Sequence, residues 1–195
     1  GGAGFVFTGE NDADIMHNSV SINLNVLESV RKFNDFLGRN VTKIFYSGSA
    51  CMYPEHNQLD PDNPDCREES AYPANPDSEY GWEKLFSERM CRHFNEDFRL
   101  ETRIARYHNV YGPNGTWNGG REKAPAAICR KVIEAKLSGK HEIEIWGDGN
   151  QTRDFTYVTD IASALITVAK SEKVGKIYNV GSGKSVSVNR LVELL

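Results

Sequence analysis

The feature that most narrows the fold of this chain is an alternation. Short β-branched and aromatic runs, too apolar to lie on a surface, are separated by stretches with helical spacing. From His17 to Leu37 the apolar residues Val20, Leu24, Leu27 and Val30 recur at helical intervals, which gives a helix with one buried face. The run from Val41 to Ser47 is bounded by Asn40 and Gly48 and reads as a buried strand. A second helix is expected from Tyr80 to about Asn95, with Leu85, Phe86 and Met90 on its inner side. A second strand follows from Glu101 to Val110 and ends at Tyr111-Gly112-Pro113. Helix, strand, helix, strand with short apolar strands implies parallel pairing, because parallel sheets are covered on both faces. The expected class is α/β with a doubly wound parallel sheet.

After Gly115 the texture changes. A helix from Ala124 to about Leu137 precedes two short strands, His141 to Trp146 and Thr152 to Tyr157. A helix from Asp160 to Ala169 and a strand from Lys176 to Val180 follow. Residues 1–114 therefore read as the main sheet domain. Residues 115–195 read mainly as a smaller lobe for substrate, partly interleaved with the sheet. Between the first strand and the second helix, Pro54 to Asp77 is rich in Pro, Asp, Asn and Glu and forms a long surface loop. Gly1-Gly2-Ala3-Gly4 reads like a loop rather than a beginning, and an amphipathic helix is still being written at Leu195, as in a piece of a longer enzyme.

Composition removes several classes. The net charge is −4 over 195 residues, with both signs interspersed and no basic block, so nucleic acid is not an expected partner. No apolar run is long enough to span a bilayer, so no membrane association is expected. The four cysteines, Cys51, Cys66, Cys91 and Cys129, include no C-x-x-C pair. Neither a zinc site nor a disulfide framework is expected, and a cytoplasmic location fits.

The chemistry concentrates in two places. Tyr80 and Lys84 stand at i and i+4 in Tyr80-Gly-Trp-Glu-Lys84, which puts phenol and ammonium on one helix face. A free phenol has a pKa of about 10 and is a poor base at neutral pH; a nearby cation is expected to lower it. Such a tyrosine can take a proton from a sugar hydroxyl as hydride leaves the same carbon. Alone, the spacing is more often coincidence or a solvated helix face. Upstream, Ser47-Gly-Ser49-Ala-Cys51-Met-Tyr53-Pro54 lies at the carboxyl end of the buried strand, the end that faces the ligand crevice in open parallel sheets. A serine at a strand end with a tyrosine opening the next helix is a much rarer combination than either part.

These runs, together with Arg106-Tyr-His-Asn109-Val-Tyr111-Gly112-Pro113, resemble successive hallmarks of the extended short-chain dehydrogenases that act on nucleotide sugars. The stretch from Gly115 through Trp117, Arg121, Lys123 and Pro125 to Lys131 is similar to one family among them, the GDP-mannose 3,5-epimerases. The resemblance implies a truncated Rossmann-like NAD-binding fold and an isomerase with a GDP-mannose-like nucleotide sugar as substrate. It also implies a homodimer formed through the helices at 17–37 and 80–95. By the same resemblance Tyr80, helped by Lys84 and Ser49, deprotonates the C4 hydroxyl, with Ser47, Tyr80 and Lys84 on the cofactor side. Cys51 and Lys123 correspond to an acid/base pair that inverts ring carbons beside a 4-ketone. Asn109, Arg153 and Lys131 correspond to contacts with the substrate diphosphate, where the arginine fork suits phosphate oxygens. Gly1 and Gly2 correspond to a glycine loop that lets backbone approach the sugar.

Other readings stay open on the residues themselves. The plain alternative for Cys51 is a small residue packed under the loop; for Lys123, local sequence alone favours a solvated charge. A UDP-sugar 4-epimerase or a 4,6-dehydratase would share the scaffold. A cysteine hydrolase using Cys51 with His56 or His108 belongs to another class, as does a non-catalytic sugar-nucleotide-binding subunit. The glycine-rich dinucleotide fingerprint does not occur in these residues; Gly112 to Gly120 follows the wrong strand and contains a proline.

Overall fold

A computed structural model describes residues 2–40, 42–60 and 63–195. Gly1, and Val41 at the expected start of the first strand, lie outside the described residues, as do Pro61 and Asp62. The elements in order are α1 (Ala3–Val6), α2 (Asp12–Leu37), β1 (Ile44–Ser49), α3 (Glu79–Phe98), β2 (Thr102–Tyr107), β3 (Asn109–Tyr111), α4 (Ala124–Ser138), β4 (Thr152–Tyr157), α5 (Val158–Lys170), β5 (Ile177–Val180), β6 (Ser185–Ser187) and α6 (Val188–Glu193).

Three strands, in the order β1-β2-β5, form an all-parallel sheet. Its central strand is buried from Thr102 through Arg106, as expected of a strand covered on both faces. The alternation of β2 shows which helix covers which face. Thr102 donates to the Cys91 carbonyl of α3, and Ile104 packs with Leu27, Tyr46, Cys91 and Leu100 in the core. Arg103 points the other way and donates to the Ser171 carbonyl just past α5. The sheet is therefore wound on both sides, with α3 backed by α2 on one face and α5 on the other. Each large apolar side chain buried in such a core stabilises by about 1.5–3 kcal/mol.

The expected strand over 101–110 is broken. β2 ends at Tyr107, His108 donates its N–H to the Val180 carbonyl, and Asn109–Tyr111 moves to a second sheet. There β3 runs parallel to β4, and β4 pairs antiparallel with β6. The chain thus passes between sheets at a single residue, which sets the carboxyl end of the main sheet beside the smaller one. The expected strand at His141–Trp146 does not form. Its alternating Glu-Ile-Glu-Ile pattern suits a strand, but a strand needs a neighbour, and no strand of either sheet pairs with it. Instead, the Glu144 carbonyl accepts from Lys131 Nζ at 2.6 Å.

Local signals account for the helix ends that matter here. Ser78 caps α3 by accepting from the Gly81 N–H at 3.2 Å. Gly38 closes α2 in the left-handed conformation, φ +63°. No helix among the described residues is long and apolar enough to cross a membrane.

Candidate active site

The carboxyl end of β1 carries Ser47 and Ser49, and a 3₁₀ turn (Ala50–Met52) carries Cys51. Ser49 Oγ accepts the Cys51 N–H at 3.2 Å, which fixes the turn to the strand end. The first turn of α3 lies against this turn. Gly81 is required there, because a Cβ would collide with the Cys51 carbonyl oxygen. Tyr80, one residue earlier, stands in the same first turn of α3, and its phenol lies near enough to Ser49 and Cys51 for both to act on its ionisation. Lys84 sits one turn further along, with Nζ 5.6 Å from the centre of the Tyr80 ring and 5.2 Å from that of Tyr46. Tyr46 Oη donates to the Lys84 carbonyl at 3.2 Å and pins this part of the helix to β1. Ser47, Ser49, Cys51, Tyr80 and Lys84 are thus brought together at one strand end.

One electrostatic expectation is corrected. Lys84 does not lower the Tyr80 phenol. Its ammonium donates to the Ser47 carbonyl at 3.1 Å instead. Burial, then the nearby Cys51, pushes the Tyr80 pKa up to about 12, and the Ser49 hydrogen bond offsets only part of this. In this arrangement Tyr80 is a neutral phenol at physiological pH.

Lys123 belongs to a second group. It is the residue before α4, and its side chain makes no helix-capping bond. It lines a cleft of about 640 Å³ with Phe5, Tyr111, Thr116, Arg121 and Cys129, a volume in the range of small-molecule sites. Gly2 seats this wall. Its N–H donates to the Arg121 carbonyl at 3.0 Å, and a Cβ would collide with the Glu122 carbonyl. The absent side chain of Gly2 is therefore required by the segment that carries Lys123. The Arg121 guanidinium lies 4.4 Å from the centre of the Phe5 ring, closing the same corner.

The remaining expected residues stand on other elements, β3, β4 and α4. Asn109 opens β3 opposite Phe155 and is half-buried. Arg153 is exposed on β4, with Nη1 donating to the Thr152 carbonyl at 2.7 Å. Lys131 holds the Glu144 carbonyl. Sequence reading missed Tyr111, Arg121 and Cys129 as cleft residues. The available signal was helical spacing from Pro125 to Cys129, which puts both on one face of α4.

The junction between the sheets carries a buried histidine and a hydrogen-bonded carboxylate. His108 is held below its ordinary value by burial, which the Asp154 carboxylate only partly counters. Asp154 is itself lowered: burial opposes, but Ser182, Gly183 and Thr156 all donate to its carboxylate. A histidine whose folded pKa lies below the unfolded 6.5 binds its proton more readily when unfolded. Stability is then whole above 6.5 and falls as pH drops toward the folded value, whereas the Asp154 contribution is lost only below 3.8. The melting temperature is therefore expected to decline between about pH 7 and about pH 5, with a shallower slope in His108→Gln. Parallel slopes in the two proteins would remove His108 as the cause.

The donor set at the strand end suits the ribose end of a dinucleotide. Lys84 uses one of its three N–H donors on Ser47 and has two left for a diol, beside the Tyr80 phenol.

Comparison with known proteins agrees with this geometry. Residues 3–181 match the model of the NAD dependent epimerase/dehydratase family. A GDP-mannose 3,5-epimerase of Arabidopsis thaliana is 42% identical over all of this chain, which covers 48% of that protein. A putative UDP-glucose 4-epimerase of Methanocaldococcus jannaschii is 35% identical over 88% of this chain and 50% of its own length. Among solved structures, a UDP-N-acetylglucosamine 4-epimerase from Methanobrevibacter ruminantium M1, in complex with UDP-N-acetylmuramic acid, superposes with a TM-score of 0.73 at 31% identity. That match covers 91% of this chain and 51% of the other. The chain spans about half the length of the curated relatives it matches. The parallel sheet wound on both faces, the Ser49–Tyr80–Lys84 strand end and a family match covering nearly the whole chain lead to one conclusion: this chain belongs to the NAD dependent epimerase/dehydratase family.

Proposed function

We propose that this chain forms the catalytic part of a GDP-mannose 3,5-epimerase, an isomerase that oxidises the sugar at C4, inverts C3 and C5, and reduces C4 again. The observation that carries this reading is the Cys51 turn seated against the first turn of α3, which carries Tyr80; a simple 4-epimerase needs no second acid there. The similarity to GDP-mannose 3,5-epimerase, which extends over the whole chain, supports it. NAD, bound with its nicotinamide end at Tyr80, Lys84 and Ser47, would supply the positive charge that draws the phenol down and the acceptor for the C4 hydride, which it later returns.

The chain's own residues do the rest. Tyr80 takes the proton of the C4 hydroxyl, with Ser49 holding the oxygen in line. The resulting 4-ketone makes the protons on C3 and C5 acidic. Of Cys51 and Lys123, one removes the ring proton and the other delivers a proton to the opposite face, so the carbon is inverted with no net change in protons or electrons. Tyr80 then returns its proton to the C4 oxygen. The diphosphate is assigned to Asn109, Arg153 and Lys131, with Arg153 exposed on β4 and holding guanidinium N–H groups beyond the one given to the Thr152 carbonyl. Gly2 is assigned to the sugar side of the Lys123 wall.

A UDP-sugar 4-epimerase is the second reading, favoured by the M. jannaschii relative and the M. ruminantium structure. Turnover of GDP-mannose against UDP-glucose by the full-length protein separates them: the 3,5-epimerase reading expects product from GDP-mannose, and product from UDP-glucose alone would overturn it. The four free cysteines support a reducing, cytoplasmic setting, and secretion of the native protein would refute that. We assign the homodimer to α2 and α3, where Ile22, Val26, Phe33, Trp82 and Phe86 are exposed on adjacent helices. Sedimentation of the full-length protein as a monomer at micromolar concentration would contradict that.

A further inference from the structure

Cys51 rides on a three-residue 3₁₀ turn, with no regular element of its own to hold it. Its hydrogen bond to Ser49 and the abutment on Gly81 fix the near side of the turn. The far side is fixed by Tyr53, which is wholly buried two residues later. The Tyr53 hydroxyl accepts from Arg106 Nη1 at 2.9 Å and donates to Asn179 Oδ1 at 2.6 Å. Its polarity is forced: a guanidinium has no acceptor, so the phenolic proton must go to Asn179.

Both partners are themselves anchored. Arg106 makes two parallel bonds to Glu88 of α3, at 2.8 and 2.7 Å, and a third bond, at 2.8 Å, to the Glu68 carbonyl. Asn179 on β5 donates its backbone N–H to the Glu68 carboxylate at 2.8 Å and donates through Nδ2 to the Cys66 carbonyl at 2.5 Å. One phenolic oxygen therefore joins α3, β2, β5 and the long loop, directly behind the turn that carries the thiol. Ser49, Tyr80 and Lys84 stand on β1 and α3, which the sheet holds without this link.

We infer that Tyr53, backed by Arg106 and Asn179, is the positioning residue for the Cys51 thiol, and so governs proton transfer at the ring carbons while leaving hydride transfer at C4 in place. The inference rests on the reading of Cys51 given above. Removing the hydroxyl in Tyr53→Phe keeps the ring but leaves one Arg106 donor and the Asn179 acceptor unmet in a buried site, and the turn is expected to shift to satisfy them. A displacement of about 1 Å at a reacting group costs up to about a hundredfold in rate.

The test uses the full-length enzyme with GDP-mannose in D2O. Deuterium incorporation at C3 and C5 is measured alongside reduction of the cofactor. Tyr53→Phe is expected to lower incorporation by about tenfold to a hundredfold while cofactor reduction stays within about twofold. Asn179→Ala, which keeps the Tyr53–Arg106 bond, is expected to show the same split to a smaller degree, and it serves as the test if Tyr53→Phe does not fold. Equal losses in both steps, as a merely structural network would give, or no loss in either, would overturn the inference. A Cys51→Ala control that still incorporates deuterium would instead sink the assignment of Cys51 itself.

Discussion

Replacing Cys51 by alanine in the full-length enzyme is expected to abolish epimerisation at C3 and C5 while sparing part of C4 oxidation. The thiol touches the Tyr80 neighbourhood from the 3₁₀ turn but belongs to neither β1 nor α3, so its loss leaves the phenol, Ser49 and Lys84 where they are. Loss of a positioned acid or base costs about 10²- to 10⁴-fold in the step it serves. Added GDP-mannose should then leave reduced cofactor on the protein, because the 4-ketone forms but proceeds no further. Absorbance and fluorescence of the reduced cofactor read this directly. Equal loss of oxidation and epimerisation would mean that Cys51 supports the site as a whole and carries no proton step of its own.

Tyr80→Phe should have the opposite profile. Without the hydroxyl, no group at the strand end takes the C4 proton, and cofactor reduction is expected to fall about 10²- to 10⁴-fold with little change in KM. The direction of the pH effect follows from the burial of Tyr80. A phenol at about 12 is almost wholly protonated at neutral pH, so the competent fraction grows as pH rises, and C4 oxidation by the unmodified enzyme should speed up from about pH 6 to about pH 8. A rate that is flat across that range, or a Tyr80→Phe enzyme that still reduces the cofactor, would remove Tyr80 as the base.

The main sheet was legible because its signal is local. Thr102 through Arg106 is buried on both faces, and a run covered that way must be rich in β-branched and apolar side chains or carry fully paired ones. The break at His108 was not legible. Asn109 is a weak strand former and yet opens β3, so only tertiary pairing with β5 on one side and β4 on the other decides where the chain changes sheets. The stretch His141–Trp146 failed for the opposite reason, a sound alternating pattern with no strand beside it.

At the site, the i, i+4 spacing correctly put Tyr80 and Lys84 on one helix face, but spacing fixes Cα positions rather than the end of a long flexible side chain. The Ser47 carbonyl, 37 positions away in the chain, took the ammonium. The Tyr53–Arg106–Asn179 link was equally hidden, since it joins residues up to 126 positions apart and an arginine inside a strand gives no hint of its partner.

The most direct test is the isotope content of product formed by the full-length enzyme from GDP-mannose in D2O. If Cys51 and Lys123 pass protons across the ring, solvent deuterium enters at C3 and C5, and the C4 hydrogen is retained. Product whose only altered centre is C4, with no deuterium at C3 or C5, would contradict the account.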